Sequence, residues 1–154
     1  TGMIYLTHIL FGLMLYLGLL VLGLPVSPSP VDYALLMLGA VIPDIDTRRS
    51  FISNRNILTK SGSSILRLFT SHRGFLHTVP AALLSTLLLG ALIWYTLNRL
   101  DLALLFAFAL GYLSHIIADS IKSIPTGSER ERAFFYFSLL TVAMLFMAYY
   151  SRAI

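Results

Sequence analysis

The sequence predicts an all-α membrane protein, a single domain spanning residues 1–154 in which about five transmembrane helices form one bundle. Hydrophobic residues make up 57% of the chain and charged residues only 12%, whereas soluble domains carry roughly 25% charged residues. The mean hydropathy is +0.82, and several apolar runs approach the roughly 20 residues that a spanning helix needs. The sequence contains no cysteine, which excludes disulfides and thiolate metal ligands.

The first two helices are predicted at residues 4–24 and 31–42, with a turn rich in proline and serine between them. Thr1 and Gly2 at the start resemble a cloning remnant. No basic residue precedes the first run, and this run is longer than a signal-peptide core, so we expect a retained helix. The second run is too short for an upright span, which predicts a short, tilted or re-entrant helix. It ends at the segment Pro43-Asp44-Ile45-Asp46.

Three further apolar runs predict helices at residues 77–97, 102–121 and 133–150. Most of the basic residues fall in the polar segments between the runs, residues 47–74 and 122–132. Basic loops stay in the cytoplasm, so both segments are expected on that side of a cell membrane that the chain crosses several times. The net charge of +4 is therefore interpreted as a topology signal, and no nucleic-acid partner is expected.

With this topology, the histidines and most aspartates converge on the cytoplasmic side. The converging residues are His8, Asp44, Asp46, His72, His77, His115 and Asp119. Ionisable groups at membrane depth are costly and are usually paired and functional. His115 and Asp119 are four residues apart, so they share one helix face and can bind one ion. Each residue also has a structural explanation by itself, such as an interfacial hydrogen bond for His8, but their convergence favours a metal site.

The donor types limit the choice of metal. Imidazole and carboxylate without thiolate suit zinc, and manganese or iron are also compatible. Seven candidate ligands exceed one tetrahedral shell, so the site holds either two ions or one ion with a base and outer carboxylates.

Four segments also carry a family resemblance: Thr7-His8, Pro43-Asp44-Ile45-Asp46, His72-Arg73-Gly74-Phe75-Leu76-His77-Thr78 and Gly111-Tyr112-Leu113-Ser114-His115-Ile116-Ile117-Ala118-Asp119. In this order they resemble the YdjM-like proteins, which are predicted membrane-bound metal-dependent hydrolases. More distantly, the order and type of the ligands resemble the zinc-dependent phospholipase C and nuclease superfamily. The family resemblance implies metal-site positions at His8, Asp44 or Asp46, His72, His77, His115 and Asp119. The more distant resemblance implies that the reaction is phosphoester cleavage.

The resulting hypothesis is a metal-dependent hydrolase that cleaves a phosphoester of a lipid or lipid-linked substrate at the cytoplasmic leaflet. Asp44 or Asp46 is expected to be a ligand or the general base. Arg73 is expected to neutralise charge on the phosphate, with a lipid-headgroup contact as its alternative.

Two other classes of protein remain as alternatives. A purely structural metal site is one, and it predicts a closed ligand shell. A metal or proton transporter is the other, and it is disfavoured because the outer half of the predicted helices shows no ionisable residue. The sequence does not indicate an oligomeric state.

Overall fold

The computed structural model describes residues 5–24, 26, 29–46, 75–121 and 128–151, and within these ranges the chain is helical with no strand. The helices are α1 (Tyr5–Val21), α2 (Pro30–Val41), α3 (Val79–Leu97), α4 (Leu102–Ser120) and α5 (Glu129–Tyr150). Short 3-10 turns follow α2 and precede α3, at Ile42–Asp46 and Phe75–His77. The prediction of an all-helical bundle of five helices is confirmed. The predicted basic loop, residues 47–74, lies outside the described ranges.

Within the described ranges, α3, α4 and α5 are long and apolar enough to cross a membrane. Helix α1 is apolar but has 17 residues, and α2 has 12. At about 1.5 Å per residue, α2 is roughly 18 Å long, well short of the roughly 30 Å hydrocarbon core. The expectation of a short second segment therefore agrees with the helix length.

Helices α2 and α4 pack with their backbones in direct contact. A Cβ atom added at Gly39 would lie 2.2 Å from the carbonyl oxygen of Phe108, and one added at Gly111 would lie 2.0 Å from that of Leu36. Small residues allow this close approach between membrane helices. Helix α4 also contacts α1 and α3, and α5 packs on α1. Helix α4 thus occupies the centre of the bundle, where its last turns meet the end of α2.

Two expectations from the sequence are wrong. One is the start of α5, and the other is that the outer half of the helices has no ionisable residue. Helix α5 begins at Glu129 rather than at residue 133, because Ser128 caps it and accepts a hydrogen bond from the backbone N–H of Glu131. Acidic residues in a first turn are favourable beside the helix dipole, and Glu131 is buried. Asp32, in the first turn of α2, is also buried. It lies at the opposite end of α2 from Asp44, so the far half of the helices does contain an ionisable residue.

The burial of Asp32 has a local structural cause. Its side chain accepts hydrogen bonds from the backbone N–H and the hydroxyl of Ser29, at 3.3 and 2.5 Å. The Ser29 hydroxyl in turn accepts from the backbone N–H of Asp32, which completes a capping box.

Candidate metal centre

Five of the predicted site residues meet at one end of the bundle. Helix α1 supplies His8, the 3-10 turn after α2 supplies Asp44, the 3-10 turn before α3 supplies His77, and α4 supplies His115 and Asp119. The other three predicted residues are not among the side chains that the structure describes; these are Asp46, His72 and Arg73.

The donor atoms are spaced for a shared cation rather than for hydrogen bonds to one another. His77 Nε2 lies 3.5 Å from Asp119 Oδ2 and 3.7 Å from Asp44 Oδ1. His115 Nε2 lies 3.7 Å from each of the same two oxygens. His8 Nε2 lies 3.5 Å from the other oxygen of Asp119, Oδ1. Two ligands about 2.1 Å from one zinc ion at the tetrahedral angle are about 3.4 Å apart, whereas an N–H···O hydrogen bond is usually shorter than about 3.2 Å.

Backbone contacts orient the imidazole of His115. Its Nδ1 lies 2.7 Å from the carbonyl oxygen of Ala40, 75 residues away in sequence. A carbonyl only accepts, so Nδ1 carries the proton, and Nε2 faces the cluster with its lone pair free for an ion.

Tyr112 contacts the turn that carries His77. The Tyr112 hydroxyl donates a 2.6 Å hydrogen bond to the carbonyl oxygen of Leu76, the residue before His77. No sequence pattern predicted a role for Ala40 or Tyr112. Tyr112 belongs to the motif at residues 111–119, but its contact depends on how α4 packs against the turn before α3.

Several buried ring nitrogens of the cluster have no hydrogen-bond partner: His8 Nδ1 and Nε2, His77 Nδ1 and His115 Nε2. A buried polar atom without a partner costs about 1–3 kcal/mol. Two of these nitrogens, His8 Nε2 and His115 Nε2, face carboxylate oxygens of the cluster, where a cation would satisfy them. Two groups are close enough to hold an ion, His8 with His115 and Asp119, and Asp44 with His77 and His115. The donor set therefore fits a divalent cation.

One family model matches most of the chain. The family model described as YdjM inner membrane protein matches residues 3–136. The chain belongs to the YdjM inner membrane protein family. The match includes α1 to α4 and the start of α5, and with them all five residues of the cluster. No curated protein and no solved structure matches the chain.

In this YdjM-family chain, the cluster is buried on one side and open on the other. The side chains of His8 and His115 are 1% and 0% exposed, whereas that of Asp44 is 27% exposed. Partial burial raises the pKa of the Asp44 carboxyl, but the neighbouring imidazoles of His77, His115 and His8 outweigh burial and hold this pKa below its usual value. Asp44 is therefore ionised at neutral pH, as a metal ligand must be.

Proposed function

We propose that this YdjM-family chain is a membrane hydrolase that binds a divalent cation, with zinc as the preferred ion. Its primary ligands are His77 Nε2, His115 Nε2, Asp44 Oδ1 and Asp119 Oδ2. The observation that carries the proposal is their spacing, since each imidazole nitrogen lies 3.5–3.7 Å from both carboxylate oxygens. When bound, such an ion supplies a Lewis acid for a phosphoester and lowers the pKa of water toward 7.

The neighbouring residues have defined tasks in this proposal. The position of Asp44 Oδ1, 3.7 Å from both His77 Nε2 and His115 Nε2, favours its role as a ligand over that of the general base. Asp46 is then the candidate base. Arg73 precedes His77 by four residues in the sequence, and its planar guanidinium suits binding of phosphoryl oxygens.

We further propose a lipid or lipid-linked phosphoester as the substrate, approached from the cytoplasmic leaflet. The cluster lies at the ends of α2 and α4, which border the basic segments 47–74 and 122–132. Excess Lys and Arg favour the cytoplasmic side. A centre at the end of membrane helices, open beside Asp44, suits a substrate whose apolar part stays in the bilayer.

The test combines metal analysis with an activity screen. Purified protein never exposed to chelator is expected to carry zinc or another divalent transition metal, and to hydrolyse at least one phosphoester in a broad panel of phospholipids and lipid phosphates. His115→Ala is expected to lose both metal and hydrolysis. Arg73→Ala should keep the metal and lose about 10²-fold in kcat, as when one preorganised charge stabiliser is removed. A metal-replete wild type that cleaves nothing in the panel would favour the structural-metal alternative.

A metal or proton transporter is the second candidate function, and the buried Asp32 of α2 is the observation that favours it. Transporters use buried ionisable groups at several depths along the membrane. Flux of Zn²⁺ or protons into proteoliposomes that is lost in Asp32→Asn would support transport. Hydrolysis by Asp32→Asn at the wild-type rate, without such flux in the wild type, would exclude it.

A further inference from the structure

We infer that the cluster contains a second cation position, between His8 Nε2 and Asp119 Oδ1, and that the Asp119 carboxylate bridges it to the primary position. The inference rests on the proposed metal site and extends it from one ion to two. It assigns His8 to a different ion from His77 and His115.

Ring orientation separates His8 from the primary ion. The rings of His8 and His115 are stacked, with centroids 4.0 Å apart and planes 23° apart. An imidazole nitrogen donates in its ring plane over about 2.1 Å, so two nearly parallel stacked rings direct their lone pairs past each other rather than at one ion. The rings of His77 and His115 are 64° apart, with centroids at 5.2 Å. Planes inclined this steeply can meet at one ion.

The number of ring nitrogens available to bind an ion also assigns His8 and His115 to different ions. The two groups close enough to hold an ion both include His115, but His115 Nδ1 is committed to the Ala40 carbonyl. His115 therefore has one lone pair, through Nε2, and serves one ion only. Asp119 has two oxygens that face different histidines: Oδ1 faces His8 and Oδ2 faces His77 and His115. A bridging carboxylate satisfies both sets of contacts.

The burial of His8 indicates that its position is a ligand site. His8 is 1% exposed, and neither of its ring nitrogens has a hydrogen-bond partner. The second position has two protein donors among the described residues, compared with four at the primary position. It is therefore the weaker site and keeps open positions, as suits a second ion that clamps phosphoryl oxygens from the other side.

Metal titration of chelator-treated protein in detergent, with Zn²⁺ as the probe, tests this division. The wild type is expected to bind two ions with different affinities. His8→Phe keeps an aromatic ring beside His115 but offers no nitrogen, so it should bind one ion with the affinity of the tighter wild-type site. Asp119→Asn should lose the second ion and weaken the first by about tenfold or more. Thr7→Val, at the buried neighbour of His8, is the matched control and should still bind two.

Cooperative thermal unfolding establishes that each variant is folded, and His8→Ala serves in place of His8→Phe if the larger ring is not tolerated. A wild type that saturates at one ion would overturn the second position, as would a His8 variant in which the tighter site is lost. Hydrolysis by a one-ion wild type would leave the proposed function intact, whereas a wild type that binds no ion would remove both proposals.

Discussion

At the scale of single residues, the hydrogen bond from Tyr112 to Leu76 links the centre of the bundle to the turn that carries His77. Tyr112→Phe removes only the hydroxyl, so we expect a loss of about 1 kcal/mol in the free energy of unfolding and weaker binding of the primary ion. Tyr95→Phe is the matched control, because Tyr95 lies on α3 and is 87% exposed. Thermal unfolding and Zn²⁺ titration measure the two effects. Unchanged Zn²⁺ affinity in Tyr112→Phe would show that this bond does not position His77.

Sequence spacing identified part of the site but not the backbone contacts that orient its side chains. The i, i+4 spacing of His115 and Asp119 is a local property of a helix, so the sequence was sufficient to pair them. The contact between His115 and the Ala40 carbonyl spans 75 residues and exists only because α2 and α4 touch. Backbone carbonyls leave no mark in a sequence pattern, so this contact could not be predicted.

At the scale of helices, the contact between α2 and α4 determines whether Asp44 reaches His115. Gly39→Ala and Gly111→Ala each place a methyl group against the backbone of the facing helix, at 2.2 and 2.0 Å from a carbonyl oxygen. The helices must then separate, and we expect destabilisation of about 1–3 kcal/mol together with weaker metal binding.

Gly18→Ala is the control for these substitutions, because a Cβ atom there meets nothing within 4 Å. Alanine is a better helix former than glycine by about 1 kcal/mol, so Gly18→Ala should be neutral or stabilising. Thermal unfolding in detergent compares the three variants. Equal melting temperatures for Gly18→Ala and Gly39→Ala would contradict a direct backbone contact.

Hydrophobic runs predicted where the helices lie better than they predicted where helices begin. The predicted and observed ends of α3 coincide at Leu97, where Asn98 adopts a left-handed conformation with φ 51°. For α5, hydropathy predicted a start at residue 133, where the uninterrupted apolar run begins. The Ser128 cap instead starts the helix at Glu129. A helix begins where a capping side chain accepts hydrogen bonds from the free backbone N–H groups of the first turn. A helix can therefore begin before its apolar run does.

At the scale of the whole molecule, the candidate metal centre and the turn between α3 and α4 lie at opposite ends of α3, a helix long and apolar enough to span a membrane. Helix α3 has 19 residues, about 28 Å at 1.5 Å per residue. His77 precedes its start, and Arg99 follows its end. If the basic segment 47–74 is cytoplasmic, the metal centre faces the cytoplasm and Arg99 faces the other side.

Cysteine labelling in membrane vesicles tests this orientation without background, since these 154 residues include no cysteine. Ser63→Cys is expected to react with a membrane-impermeant thiol reagent in inside-out vesicles only, and Arg99→Cys in right-side-out vesicles only. Arg99 is preferred to Asn98 as the labelling position, because cysteine is strained at a positive φ. Ala118→Cys, at a buried position of α4, should react in neither. Labelling of Ser63→Cys and Arg99→Cys from the same side would mean that α3 does not cross the membrane. The reversed labelling pattern would place the metal centre on the opposite face of the membrane, where a cytoplasmic substrate could not reach it.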